Sequence, residues 1–157
     1  AFRYAIDNGM YSEDDDPYQA KTYECIDCNV QAVFSSCVDV TSNNEMHLKE
    51  AVTRGPVSVA IDADTLAFQF YSSGIINNQS CGTNLDHGVL VVGYGEEKGQ
   101  LYWLVKNSWG SEWGDKGYVK IARLDSESSP GVCGIASQPS YPIADIDLEY
   151  NKPNYDL

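Results

Sequence analysis

Positive charge is scarce in this chain. Ten Lys and Arg face 23 Asp and Glu, for a formal net charge of -13 over 157 residues. Nucleic acid is excluded as a partner, because binding it needs basic side chains to replace the counterions along the phosphates. No apolar run approaches the ~18 residues that a membrane-spanning helix requires, so no membrane partner is expected. A signal peptide is also lacking, and so is an initiating Met: the first residues, Ala1-Phe2-Arg3-Tyr4-Ala5-Ile6, put Phe2, Ala5 and Ile6 on one helical face. That start inside an element leads us to expect a fragment or a processed chain. Histidine occurs only twice, at His47 and His87. The acidic balance suits an acidic vesicle, where carboxylates lose charge and repel less.

Five cysteines are present, at positions 25, 28, 37, 81 and 133, and an odd number leaves one without an internal partner. Cys25-Ile26-Asp27-Cys28 has the spacing of half a zinc site, but no second pair accompanies it, so structural disulfides are the better reading. Asp14-Asp15-Asp16 lacks the alternating ligands and the glycine of a calcium-binding EF-hand loop and reads as a solvated turn. No metal and no cofactor is expected. Asn78-Gln79-Ser80 matches a glycosylation sequon, which suits passage through the secretory pathway.

The apolar pattern places a helix over residues 1–8, a strand within 30–41, a helix from 43 to about 53 and a strand over 57–61. A second short helix is expected over 65–71. Val89-Leu90-Val91-Val92 and Leu101-Tyr102-Trp103-Leu104-Val105 read as strands joined by a loop at 95–99. Further strands are expected at 117–123 and 134–136. Several antiparallel strands with few helices indicate an α+β fold built on a barrel-like sheet. The tail, 144–157, is acidic and polar, a loosely held extension after a domain of residues 1–143.

Chemistry concentrates at His87, which opens an apolar strand, and at Asn107, twenty residues on. A thiol nucleophile needs a base to hold it as thiolate, and that base needs a third group to fix its tautomer. The hairpin between Val89 and Val105 can return Asn107 to the histidine. Its amide oxygen then accepts from one ring nitrogen and leaves the other for a thiol. Trp109 and Trp113 follow at once, and a tryptophan over the pair would exclude water and strengthen the bond. His47, on a polar helix face, reads as solvated.

The stretches Leu85-Asp86-His87-Gly88, Val92-Gly93-Tyr94-Gly95, Tyr102-Trp103-Leu104-Val105-Lys106-Asn107-Ser108-Trp109-Gly110 and Gly114-Asp115-Lys116-Gly117-Tyr118 resemble the C-terminal half of papain-like cysteine proteases. Gly55-Pro56-Val57-Ser58-Val59-Ala60-Ile61 and Cys133-Gly134-Ile135-Ala136-Ser137 extend the likeness and favour the cathepsin L branch. The resemblance implies the papain-like fold, chiefly its antiparallel β-barrel-like right-hand half. It implies cysteine endopeptidase activity, with His87 as base and Asn107 as its orienter. Trp109 would shield the pair, and Trp113 would line the leaving-group side. Ala60, Leu85 and Gln138 would line the dominant specificity pocket, and Asp86 would steady the histidine loop and present backbone to substrate. Cys81 would pair with Cys133. Cys28 and Cys37, extra to the family pattern, could bridge locally if their Cα atoms come within about 7 Å.

Family members carry the nucleophile about 130–150 residues before the histidine and asparagine, which falls before residue 1. None of the five cysteines has the family's Cys-Gly-Ser-Cys-Trp surroundings, and the upstream oxyanion-stabilising glutamine is missing too. The chain alone is therefore expected to be inactive. Its expected partners are the N-terminal half of the same domain, peptide or protein substrates, and cystatin-like or propeptide inhibitors. Its expected location is lysosomal or vacuolar, or outside the cell. The competing reading is a non-catalytic relative that keeps the fold as a binding or structural protein.

Overall fold

A computed structural model describes residues 1–24, 28–77 and 81–144. Cys25, the sequon at Asn78 and all of the acidic tail after Ala144 lie outside the described residues. Among the described residues no helix is long and apolar enough to cross a membrane. The described residues divide into two compact units, one of Ala1–Val38 with residues 142–144, the other Asp39–Tyr141.

In the smaller unit, helix α1 (Phe2–Asn8) buries Ala5 and stops at Gly9, whose backbone N–H caps the Ala5 carbonyl. Met10 then forms a β-bridge with Ala32. Strand β1 (Phe34–Asp39) carries the exposed thiol of Cys37. The bridge between Cys28 and Cys37 does not form. Cys37 stands free on its strand, and the Cys28 thiol lies 3.6 Å from the carbonyl oxygen of Asp15.

In the larger unit, α2 (Glu45–Val52) begins where the Asn44 side chain accepts from the His47 backbone N–H at 2.9 Å, satisfying a donor that the helix cannot. Its Leu48, Ala51 and Val52 are buried. The sheet contains β2 (Val57–Ile61), β3 (Ile75–Ile76), β4 (His87–Glu97), β5 (Gln100–Lys106), β6 (Tyr118–Ala122) and the start of β7 (Ser140–Ala144). The strands lie in the order β7-β2-β4-β5-β6-β3, antiparallel except for the β3–β6 edge. Side chains alternate between faces along a strand. Val57, Val59 and Ile61 of β2, Val89 and Val91 of β4, Trp103 and Val105 of β5, and Val119 and Ile121 of β6 therefore fall on one face and make the core with α2. Short helix α3 (Leu66–Gln69) adds Phe68 to that core.

Two elements differ from the sequence-based expectation. Strand β4 runs on through Gly95 to Glu97, and the turn is only Lys98-Gly99, at φ 52° and 82°. Two consecutive positive φ values suit a two-residue hairpin, which matches the twist of the strands it joins. The segment 134–136 is not a strand. A 3-10 turn, Val132–Gly134, occupies this stretch, with Cys133 at φ 56° and Gly134 at φ 73°, and such backbone cannot extend along a sheet. Cys133 instead forms a disulfide with Cys81, their Cα atoms 4.9 Å apart.

Candidate active site

Hairpin register determines what His87 meets. Leu90 of β4 pairs with Lys106 of β5, so the residue beyond Lys106 returns alongside the first residues of β4. Asn107 occupies that position, its backbone N–H donating to the Gly117 carbonyl at 3.0 Å. Its Oδ1 lies 2.8 Å from His87 Nε2 and accepts the Ser108 backbone N–H at 2.8 Å. The Ser108 N–H, which can only donate, identifies this atom as the amide oxygen, and an acceptor facing Nε2 in turn assigns the proton of His87 to Nε2. Nδ1 is left as the nitrogen able to exchange a proton with a reacting group.

Asn107 is only 7% exposed, and its Nδ2 is buried without a hydrogen-bond partner among the described residues. Trp109 lies with its ring 5.0 Å from the imidazole and tilted by 33°. A polar contact beside an indole and largely out of water sits in a lower dielectric than an exposed one, which strengthens it.

Beneath these groups lies Phe68, fully buried. Its ring meets His87 at 6.3 Å and Trp109 at 5.5 Å, both edge-on, and Trp113 at 5.1 Å. Trp113 also donates its indole N–H to the Gln69 carbonyl at 3.0 Å. Sequence reasoning assigned Phe68 no role, because a four-residue helix shows no periodicity that would mark its inner face.

Asp86 precedes His87 and accepts the Ala63 backbone N–H at 2.9 Å, while its own N–H donates to the Ile61 carbonyl at 3.0 Å. The end of β2 is thus tied to the histidine loop through both backbone and side chain. Ala60 faces Gly88 in the β2–β4 register, and Leu85 packs where a side chain on Gly134 would stand. Gln138 is exposed beyond the 3-10 turn. No hydrogen bond or ring contact joins these last three to the His87 and Asn107 side chains among the described residues.

A triad of carboxylates, Asp62, Asp64 and Asp86, stands close by. Asp64 has its pKa raised, chiefly by the negative charge of Asp62 and by the hydrogen bond the two carboxyls can share. The sequence gives no hint of this grouping, since the three residues come from two separate loops.

A family model for papain family cysteine proteases matches residues 1–143. The chain belongs to that family. It is 52% identical over 147 residues to digestive cysteine proteinase 3 of Homarus americanus, covering 90% of this chain and 44% of that protein. It spans less than half the length of these curated relatives, among them the cysteine proteinase RD21A of Arabidopsis thaliana. The bromelain protease of Ananas comosus, solved in complex with the E64 inhibitor, superposes with a TM-score of 0.85 at 41% identity, covering 92% of this chain and 67% of bromelain. The ragweed pollen allergen Amb a 11, a cysteine protease solved in its proform, superposes at 0.84 with 36% identity, over 98% of this chain and 46% of the allergen. The α+β fold is thus papain-like, and these neighbours carry the same strand and short-helix arrangement.

Proposed function

We propose that this chain contributes the base and its orienting amide to a cysteine endopeptidase whose nucleophilic cysteine and oxyanion glutamine lie outside these 157 residues. One observation carries the reading: Asn107 holds Nε2 of His87 in hydrogen bond and leaves Nδ1 free to face a thiol. In the reaction, Nδ1 takes the thiol proton and the thiolate attacks the scissile carbonyl carbon. The resulting imidazolium returns that proton to the departing amine, leaving an acyl-enzyme thioester. Water then attacks the thioester with His87 as general base, and the thiol re-forms. No step calls for a metal or an organic cofactor.

Trp109 shields the pair, and Trp113 borders the leaving-group side of the cleft. Ala60, Leu85 and Gln138 line the pocket for the substrate side chain, where the Gln138 amide would tolerate a polar group. Asp86, tied to Ala63, steadies the histidine and offers backbone to the substrate. The proform of Amb a 11 supports a propeptide as an inhibitory partner here, and cystatin-like inhibitors would use the same cleft. A vesicular, vacuolar or extracellular site of action suits the acidic surface and the disulfide.

The test is a fluorogenic peptide assay on the protein that carries this chain, with and without a thiol-alkylating agent. The reading expects cleavage that alkylation abolishes. Cleavage indifferent to alkylation, or none from a protein with cysteine at the nucleophile position, would reject it.

A further inference from the structure

We propose that Asp62, Asp64 and Asp86 form a divalent-cation site, suited to calcium, at the junction of β2 and the loop that delivers His87. One carboxylate oxygen from each residue lies within 4.8 Å of the other two. Asp62, one of the three, also carries an unsatisfied buried atom. Asp62 is 4% exposed, its Oδ2 accepts the Asn84 backbone N–H at 3.0 Å, and its Oδ1 is buried with no hydrogen-bond donor among the described residues. A buried carboxylate oxygen without a donor costs free energy unless a proton or a cation meets it.

The ligands are held in place by contacts that need no ion. The Asp62 backbone N–H donates to the Cys133 carbonyl at 2.9 Å, and Asp86 is tied to Ile61 and Ala63 as described. A side chain on Gly82 would stand 2.5 Å from Asp62 Oδ2, so only glycine lets that loop close over the carboxylate. No ion pair among the described residues engages any of the three aspartates. Their charge is therefore left without a cationic side chain.

The donor set selects the ion. It is all oxygen, with no imidazole or thiolate, which disfavours zinc and copper. Asp64 and Asp86 are exposed, so water can complete the six to eight ligands that calcium takes in flexible geometry. Magnesium demands a tighter octahedron and gives up its water reluctantly. The site shares Asp86 with the loop that delivers His87, but cation binding uses no step of the peptidase reaction, so either reading can fail without the other.

Calorimetric titration of calcium into the full chain, with Asp64→Asn alongside, tests the site. Asp64 is exposed, so this variant leaves the packing of Asp62 intact, and circular dichroism checks its fold. The wild type should show one saturable site with a dissociation constant of about 0.1–1 mM, the range of weak extracellular calcium modules, and weaker magnesium binding. Asp64→Asn should lower the calcium affinity by at least ~tenfold, the loss of one charged ligand of three. The backbone amides of Ala63 and Asn84, which donate to Asp86 and Asp62, should shift in NMR spectra of the wild type on calcium addition, and the variant should need at least ~tenfold more calcium for the same shift. No saturable heat in the wild type would overturn the proposal in favour of a proton shared by Asp62 and Asp64. Equal affinity in Asp64→Asn would overturn it in favour of diffuse binding to the acidic surface.

Discussion

His87 Nε2 lies 2.8 Å from Asn107 Oδ1, and the same oxygen takes the Ser108 backbone N–H at 2.8 Å. The amide is held from two sides, so it fixes the tautomer and tilt of the imidazole instead of following it.

This relationship predicts distinct outcomes at its two ends. In the protein that carries this chain, His87→Ala should lower kcat/KM for peptide cleavage by about 10²–10⁴-fold, the usual contribution of a general base. Asn107→Ala should cost less, because the base remains while its orientation loosens. Asn107→Asp puts a carboxylate against Nε2, stabilises the imidazolium and should move the alkaline limb of the pH–rate profile upward. A profile unmoved by Asn107→Asp would contradict direct contact between the two.

Phe68 is expected to act through the groups above it. It is fully buried under His87, Trp109 and Trp113. Phe68→Ala should destabilise the fold by about 3–5 kcal/mol, the usual cost of removing a buried phenylalanine. Urea unfolding measures it, and a loss under ~1 kcal/mol would mean the ring packs less tightly than its contacts indicate.

Much of this site is legible in the amino-acid sequence. The two-fold alternation around Val91 and Trp103, together with the spacing of His87 and Asn107, defines a hairpin that returns one residue to the other. Other features are hidden for physical reasons. Gly95 reads as the start of the hairpin loop, yet β4 continues through it, and the Tyr102 ring of β5 covers the space where a Gly95 side chain would stand. Strand β7 is obscured by Pro139 and Pro142, which read as breakers although Ser140 still pairs with Ser58. Gly134-Ile135-Ala136 has strand-like composition, but positive φ at Cys133 and Gly134 turns the chain back on itself. Phe68 and the three aspartates gain meaning only from tertiary contacts.

Glu45 is a charged residue with no exposure at all, and its environment explains why. Its carboxylate accepts the Trp103 indole N–H at 3.1 Å and the backbone N–H groups of Leu124 and Ser126 at 3.1–3.2 Å. Glu45→Ala strands the buried Trp103 indole N–H and two part-buried backbone N–H groups, and a stranded buried donor costs about 1–3 kcal/mol. The expected loss, above ~1 kcal/mol, should appear as a lowered urea midpoint, with Glu45→Gln falling between variant and wild type. A midpoint unchanged in Glu45→Ala would refute the structural role.

The Glu97–Lys120 ion pair, 2.5 Å long, gives a pH-dependent increment of stability. Lys120 holds the Glu97 pKa below its usual 4.5, mainly through their hydrogen bond. The folded state thus binds this proton less readily than the unfolded state. The increment is present above pH 4.5 and is lost as pH falls through the lowered folded value. Lys120→Met should flatten the acid limb of Tm against pH, by a small amount because the pair is solvent-screened. Identical acid limbs in the two proteins would contradict this.

The most direct test of the central claim is thiol-dependent hydrolysis of a fluorogenic peptide by the protein that carries this chain, beside its His87→Ala variant. The account predicts cleavage that alkylation blocks, reduced by about 10²–10⁴-fold in the variant, and none from the 157-residue chain alone. Cleavage retained in full by His87→Ala, or catalysed by the isolated chain, would contradict it.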